Sequence, residues 1–180
     1  MKSILILGCI AFFAISCNNN ATEKSTAPVS DSTAAVKYEY PYTLDKPYQD
    51  WQPGDQQNAV NVMKGLKAWE NNNIAECVTY FGDSCDLQFD NFRAVLPHDS
   101  LANFFATGRA KITSIKVEMQ DWESVISKDK KDQWVTLWYN QTITNKDGKT
   151  QMISVVNDAK IVNGKIVVLS ENTQRIPDKK

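Results

Sequence analysis

Apolar residues recur at helical spacing in three stretches of the chain. From Gln56 to Glu70 they fall at intervals of three and four, which places them on one stripe of a helix. A second, short helix is predicted from about Asn73 to Phe81, and a third from the cap Asp99-Ser100 to about Gly108. Between these two, Cys85–Phe89 alternates apolar and polar residues, which predicts a half-buried strand.

Strict alternation then predicts four further strands in the C-terminal part of the chain. They run over Ile112–Ile126, Trp134–Thr144, Gln151–Val162 and Lys165–Thr173. Polar turns separate them, and Asn163-Gly164 is the strongest short signal for a two-residue hairpin. Helices followed by consecutive strands predict an α+β domain over residues 53–180, with three helices on one face of an antiparallel sheet.

The hairpin turns predict which residues share a face of this sheet. A two-residue loop at Asn163-Gly164 places Ile161 opposite Ile166, and a turn centred on Asp147-Gly148 places Trp138 opposite Asn157. One face then carries no charge, and we expect it to face the helices because burying an unpaired ion is costly. That face comprises Trp134, Thr136, Trp138, Asn140, Ile153, Val155, Asn157, Ala159, Ile161, Ile166, Val168, Ser170 and Asn172. The opposite face is predicted to hold Val135, Leu137, Tyr139, Val156, Asp158, Lys160, Leu169 and Glu171.

The predicted inward face changes from hydrocarbon at one end to amides and hydroxyls at the other. An apolar pocket with a few convergent polar groups is the usual form of a small-molecule site. A polar, hydrated end of the core without a ligand is the alternative. The candidate ligand-binding residues are Trp69, Trp134, Trp138, Asn140, Asn157, Ser170 and Asn172.

Residues 1–16 have the pattern of a secretory signal peptide. A positive start at Lys2 precedes the apolar run Ile4–Ile15, which is too short to span a bilayer. Ala14-Ile15-Ser16-Cys17 resembles a bacterial lipobox, although Ala14 stands where Leu is usual. The resemblance implies cleavage before Cys17, lipidation of Cys17 with palmitate or a similar acyl chain, and a membrane anchor. An ordinary secretory signal is the alternative.

The segment after Cys17 has two parts. Residues 17–37 lack large apolar side chains and are predicted to form a flexible tether. Residues 38–52 form an arm in which Tyr and Trp alternate with Pro, and which either docks on the domain or binds a glycan or partner. Asn18 after Cys17 resembles lipoproteins exported to the outer membrane, so we expect this chain in the bacterial cell envelope.

Composition excludes some classes of protein but does not decide whether the cysteines are bridged. The 180 residues carry a formal net charge of −1, which argues against a nucleic-acid binder with a strongly basic face. After removal of the signal peptide and lipidation of Cys17, only Cys77 and Cys85 remain as thiols. In an oxidising compartment they are either two buried thiols or a disulfide across a short loop, which is geometrically demanding.

The sequence offers little conventional catalytic chemistry. The single histidine, His98, precedes Asp99, which suggests either an acid–base pair or a surface residue at a helix N-terminus. No metal-binding cluster, phosphate loop, Ser–His–Asp pattern or basic stripe is present, so we expect no metal and no cofactor.

Several motifs in order resemble the nuclear transport factor 2-like superfamily, particularly its SnoaL-like branch. They are Trp69-Glu70-Asn71, Tyr80–Ser84, Trp134–Trp138, Thr144–Lys149 and Asn163–Ile166, and the resemblance covers about residues 53–175. It implies a cone-shaped, curved antiparallel sheet packed on three helices, also described as a cystatin-like roll. Members with a Trp-rich third strand often carry His and then Asp on the fourth. Here those positions are Val156 and Asn157, which removes the expected base.

Three hypotheses follow. The favoured one is an outer-envelope lipoprotein whose non-catalytic domain binds a small apolar molecule or has an accessory role. The second is an isomerase, cyclase or dehydratase of the SnoaL-like type. The third is an interaction module, with a homodimer formed through the outer sheet face. An acidic side chain or a histidine pointing into the cone beside Asn157 would contradict the first.

Overall fold

The computed structural model describes residues 39–44 and 49–177. The chain divides into a unit ending at Thr43 and a unit beginning at Leu44, and the helices and strands of the described residues belong to the second. The signal peptide, Cys17, the tether and part of the arm lie outside the described residues. The elements are β1 (Gln52–Pro53), α1 (Gln56–Glu70), α2 (Ile74–Val78), β2 (Phe81–Phe89), β3 (Phe92–Pro97), α3 (His98–Arg109), β4 (Ile112–Ile126), β5 (Gln133–Asn145), β6 (Thr150–Val162) and β7 (Lys165–Ile176).

The strands form one sheet in the order β1-β4-β5-β6-β7-β2-β3. The predicted antiparallel meander is present as β4 to β7, whereas β2 pairs parallel to β7 and antiparallel to β3. The sheet is therefore mixed and open, with β1 and β3 at its edges. The helices pack on one face of it, α1 against β4, β5 and β7 and α3 against β2 and β3. No described helix is long and apolar enough to cross a membrane.

The first hairpin of the sheet is longer than the sequence predicts. β2 begins at Phe81, so Gly82-Asp83 lies within a strand rather than in a turn, and α2 ends at Val78. β3 was not predicted at all. It is an edge strand that ends in Pro97 and exposes Val95, and both features are tolerated only where one side of the strand has no partner.

The turn between β5 and β6 is a three-residue loop. Asn145 N–H donates to Lys149 C=O at 2.9 Å and Gly148 N–H donates to Asn145 C=O at 3.0 Å, while Gly148 has φ 81°. An odd loop length reverses the parity of β5, so Leu137 rather than Trp138 lies opposite Asn157. The predicted inward placement of Trp134, Thr136, Trp138 and Asn140 is wrong, and Val135, Leu137, Tyr139 and Gln141 are buried instead.

A β-bulge changes the face of β7 in the same way. Ile161 pairs with Ile166 as predicted, but Lys160 pairs with Val168, so Val167 is an extra residue. From there onward the strand presents the other set of side chains. The predicted inward placement of Val168, Ser170 and Asn172 is wrong, and Leu169 and Glu171 point toward the helices.

The core lies between the helices and this face of the sheet. Its fully buried side chains include Leu87, Leu101, Val135, Leu137, Tyr139 and Val155. Register shifts at Thr113 and Gln120 add two further irregularities in β4. Because each bulge bends its strand, they curve the sheet around the core.

Arg109, at the end of α3, ties three elements together. It is 6% exposed, and its guanidinium donates to the carbonyl oxygens of Trp69 at 3.3 Å, Glu70 at 3.3 Å and Ile112 at 2.8 Å. The C-terminal end of α1, the end of α3 and the start of β4 therefore share one buried charge. A Glu70 carboxylate oxygen adds a fourth link by accepting from Val117 N–H at 3.1 Å.

We expect Arg109→Leu to lower the free energy of unfolding by about 2–4 kcal/mol, because it leaves buried carbonyl groups without donors. Urea denaturation measures this. Arg175→Leu is the matched control, since Arg175 is exposed and its loss should change stability by less than about 0.5 kcal/mol. Equal effects of the two substitutions would contradict the structural role of Arg109.

Candidate functional site

A cavity of about 310 Å³ lies between the helices and the inner face of the sheet. Its wall is mostly hydrocarbon and aromatic. The apolar lining residues are Val62, Leu66, Trp69, Phe81, Phe89, Phe104, Phe105, Ile112, Leu137, Ile143, Ile153, Ile166 and Leu169. The volume and lining suit a small, ring-containing molecule.

The aromatic part of the wall centres on Phe105 of α3. Its ring lies 5.8 Å from Trp69, 5.2 Å from Phe81 and 5.6 Å from Phe104, measured between centroids. All three pairs are tilted or edge-on, the arrangement that aromatic rings prefer. This packing holds the rings in fixed positions around the cavity.

Besides Gln141, three polar side chains from neighbouring strands converge on the same cavity. Asn157 of β6 lies directly opposite Glu171 of β7, and Tyr139 of β5 lies one diagonal step away. Asn157 Nδ2 donates to Tyr139 Oη at 2.9 Å. Asn157 Oδ1 is buried and has no hydrogen-bond partner among the residues that the structure describes.

The environment shifts the pKa of two of these groups. Burial, and after it the negative charge of Asp90, raises the pKa of the Glu171 carboxyl from 4.5 to about 6, and hydrogen bonding by Asn157 opposes this rise. Burial also raises the pKa of Tyr139 well above its usual value, with a second contribution from the charge of Glu171. At neutral pH, Glu171 is therefore mostly ionised and Tyr139 remains a phenol.

These groups supply an acid–base pair of the kind that enzymes use. A carboxyl with a pKa near 6 can both accept and return a proton close to neutral pH. Tyr139 Oη accepts from Asn157, which leaves the tyrosine hydroxyl proton available for a bound molecule. A hydrogen-bond donor in a cavity of low polarity can stabilise negative charge that develops on a ligand oxygen.

The predicted site residues lie on two different sides of the sheet. Trp69 and Asn157 line the cavity, whereas Trp138, Asn140 and Asn172 lie on the outer face of the sheet. Trp134 and Ser170 also lie on the outer face, where they line a shallow groove of about 380 Å³ together with Trp51, Gln88, Thr136 and Asp158. A ligand-binding role for any of these residues stays a prediction.

The predicted placement of Tyr139 and Glu171 on the outer face is wrong, since both line the cavity. Two signals could have corrected it. Asn145-Lys146-Asp147-Gly148 suits a type I turn followed by a left-handed glycine, which makes a three-residue loop. Ile166 and Leu169 are core-type residues at an odd spacing, which a strand accommodates only through a bulge.

The other reactive side chains have structural environments. His98 is half-buried as the first residue of α3, and its Nε2 lies 3.1 Å from Val78 O, outside the cavity lining. Cys77 and Cys85 are buried free thiols, so no disulfide joins them. Burial raises the pKa of each thiol to about 12, so both are protonated and weakly nucleophilic. The described residues contain no group of three or more metal-ligating side chains.

Comparisons with known proteins identify the fold. No protein-family model and no curated protein matches the sequence. An NTF2-like protein of unknown function from Burkholderia pseudomallei superposes with a TM-score of 0.55 at 11% identity, covering 66% of this chain and 91% of that chain. The chain has the nuclear transport factor 2-like fold. The curved sheet and the helices on one face agree with this cone-shaped architecture.

Two other structures share the nuclear transport factor 2-like fold with this chain. An LEH-like epoxide hydrolase of M. tuberculosis has a TM-score of 0.53 at 12% identity, covering 66% of this chain and 84% of that chain. A hypothetical protein of Catenulispora acidiphila with a ketosteroid isomerase-like fold, solved with trimethylamine, has a TM-score of 0.52 at 14% identity, covering 62% and 83%. At these identities the likeness concerns the fold alone.

The raised pKa of Glu171 predicts a pH-dependent stability. Because the folded pKa of about 6 exceeds the ordinary value of 4.5, the stability that this group contributes is fully present below the ordinary value and is lost as pH rises through the folded one. The loss amounts to roughly 2 kcal/mol. We expect the unfolding free energy of the wild type to fall by this amount relative to Glu171→Gln between about pH 4 and about pH 7.5.

Urea denaturation of both proteins across this pH range measures the difference. Asp90→Asn serves as a second variant, because removing the Asp90 charge lowers the pKa of Glu171 and should shrink the pH-dependent loss. A stability difference between wild type and Glu171→Gln that does not change with pH would show that Glu171 titrates normally.

Proposed function

We propose that the domain catalyses proton transfer on a small, mostly apolar molecule held in the cavity, with Glu171 as the general base. One observation carries this proposal. Glu171 lies in the cavity wall, opposite Asn157, with its pKa raised to about 6. A non-catalytic binding domain predicts no carboxylate at this place, so the presence of Glu171 favours an enzyme of the SnoaL-like type.

A structural role does not account for Glu171 equally well. A carboxylate in an apolar wall is costly unless a cation or several donors compensate it. No Lys, Arg or His is among the described residues that line the cavity. Asp90, which acts on Glu171, is itself an acid and raises the cost. Charged groups kept in such an unfavourable position are candidates for function.

The arrangement supports a two-step proton transfer at a carbon next to a carbonyl group. The Glu171 carboxylate removes the proton, and the electron pair of the broken C–H bond moves toward the carbonyl oxygen to form an enolate. Tyr139 donates its hydroxyl hydrogen bond to that oxygen, while Asn157 positions Tyr139. The protonated Glu171 then returns the proton to the same carbon or to a conjugated one, which gives exchange or isomerisation.

Some proteins with the same fold have names that refer to enzymes acting on small molecules. The compared structures include one described as an LEH-like epoxide hydrolase and one with a ketosteroid isomerase-like fold. They support a chamber that accepts small organic molecules, and the assignment of chemistry to Glu171 comes from this chain's own geometry.

We expect the domain to catalyse exchange of the α-protons of enolisable cyclic ketones such as 2-tetralone in D₂O. Glu171→Gln should lower the rate at least about 100-fold, and Tyr139→Phe at least about tenfold. The wild-type rate should rise with pH and level off above about 6, because only ionised Glu171 accepts a proton. NMR follows the loss of the α-proton signal directly.

His98→Gln is the matched control, because His98 lies outside the cavity lining and its replacement should leave the rate unchanged. Exchange that is equally fast in Glu171→Gln would remove Glu171 as the base. Dependence on His98 instead would revive the acid–base pair that the sequence suggested.

We further propose that the protein acts in the bacterial cell envelope as a lipoprotein anchored through Cys17. The support is the signal-peptide pattern of residues 1–16 and the lipobox-like Ala14–Cys17. The homodimer through the outer sheet face stays a prediction.

In bacteria fed an alkyne analogue of palmitate, the wild-type chain should be labelled and recovered with membranes. Cys17→Ser should lose the label and leave the membrane fraction, while Cys9→Ser, within the signal peptide, should behave as wild type. Labelling that persists in Cys17→Ser would refute the anchor.

A further inference from the structure

Among the residues that the structure describes, one amide atom of Asn157 has a hydrogen-bond partner and the other has none. The residue is 6% exposed, and its Oδ1 is buried without a hydrogen-bond partner among the described residues. Its Nδ2 donates to Tyr139 Oη at 2.9 Å. A buried acceptor without a donor is unfavourable, and its persistence in a cavity wall indicates a ligand group that completes it.

The orientation of the Asn157 amide follows from its neighbours. Asn157 Nδ2 donates to Tyr139 Oη, and the ladder places Asn157 directly opposite the Glu171 carboxylate. Rotating the amide by half a turn would bring Oδ1 toward that carboxylate and place two acceptors against each other. The amide nitrogen is therefore held beside Tyr139 and Glu171, and Oδ1 is the atom left for a ligand.

We propose that the ligand of this cavity carries an O–H or N–H group that donates to Asn157 Oδ1, close to the oxygen that Tyr139 binds. This deepens the proposed function and rests on it for the identity of the second group, a carbonyl. Since Asn157 and Tyr139 are in direct contact, the donor and the carbonyl of the ligand must lie on nearby atoms. The substrate class is thus a hydroxy- or amino-carbonyl compound.

The rest of the cavity limits this class further. Its wall is mainly aromatic and aliphatic, and at neutral pH it presents the negative charge of Glu171 without a described cationic side chain. An anionic ligand would be repelled, and a highly polar one would lose its hydration without compensation. A neutral cyclic or aromatic hydroxycarbonyl compound of a size suited to about 310 Å³ fits this wall and provides partners for Tyr139 and Asn157.

Binding of two matched probes tests the donor without any turnover. 2-Naphthol carries an O–H donor, and 2-methoxynaphthalene has the same rings and oxygen without the donor. We expect the wild type to bind 2-naphthol at least tenfold more tightly, as measured by calorimetry or by quenching of tryptophan fluorescence. In Asn157→Leu this preference should fall below about threefold, because the acceptor is gone.

Thr142→Leu is the control, since it replaces a polar side chain on the outer face of the neighbouring strand and should keep the preference. If Asn157→Leu does not fold, Asn157→Ala removes the same acceptor without adding volume. A preference that survives loss of the Asn157 amide, or that is absent from the wild type, would overturn the inference.

The two proposals fail in different ways. A preference lost in Glu171→Gln but kept in Asn157→Leu would place the ligand donor on Glu171, which overturns this inference and leaves the proton-transfer proposal intact. Normal donor preference together with no Glu171-dependent exchange would overturn the proposed function and leave the donor site of Asn157 standing.

Discussion

The two-residue period of a β-strand is the constraint on which this molecule depends. Every side chain of a strand faces either the helices or the opposite side, and a shift of one residue exchanges the two sets. In β7 the extra residue Val167 makes that shift between Ile166, which packs in the core, and Glu171, which reaches the cavity. The inward placement of Glu171, and with it the negative charge of the cavity, follows from this local irregularity.

The raised pKa of Glu171 depends on the close packing of the side chains around the cavity. Phe105 and its aromatic neighbours pack at fixed angles, and Arg109 ties the helix ends to the sheet through buried carbonyl groups. A less rigid wall would let water reach Glu171 and return its pKa to the ordinary range. The packing stabilises the fold, and the burial of the Glu171 carboxyl in a mostly apolar wall opposes part of this stabilisation. This is the usual relation between a scaffold and its functional site.

The sequence predicted the elements better than the site. Helical spacing located α1, and alternation located β4 to β7, because these patterns reflect burial along one strand or helix at a time. The outward placement of Tyr139 and Glu171 was wrong, because facing depends on loop length and bulges, which period alone does not encode. Asn157 was placed correctly because β6 contains no extra residue relative to the predicted hairpin with Ile166. β3 was missed because an exposed edge strand carries little burial pattern.

The bulge at Val167 also decides which side chains of β7 face the chamber. If Val167 were instead paired as an ordinary strand residue, the strand beyond it would turn over, so that Ser170 and Asn172 would face the aromatic wall and Glu171 would face the other way. The resulting chamber would be neutral, suited to holding a molecule rather than to taking a proton from it. Whether one residue of a strand is paired or left out of the ladder thus decides which of two chemically different surfaces the chamber presents, with the sequence unchanged.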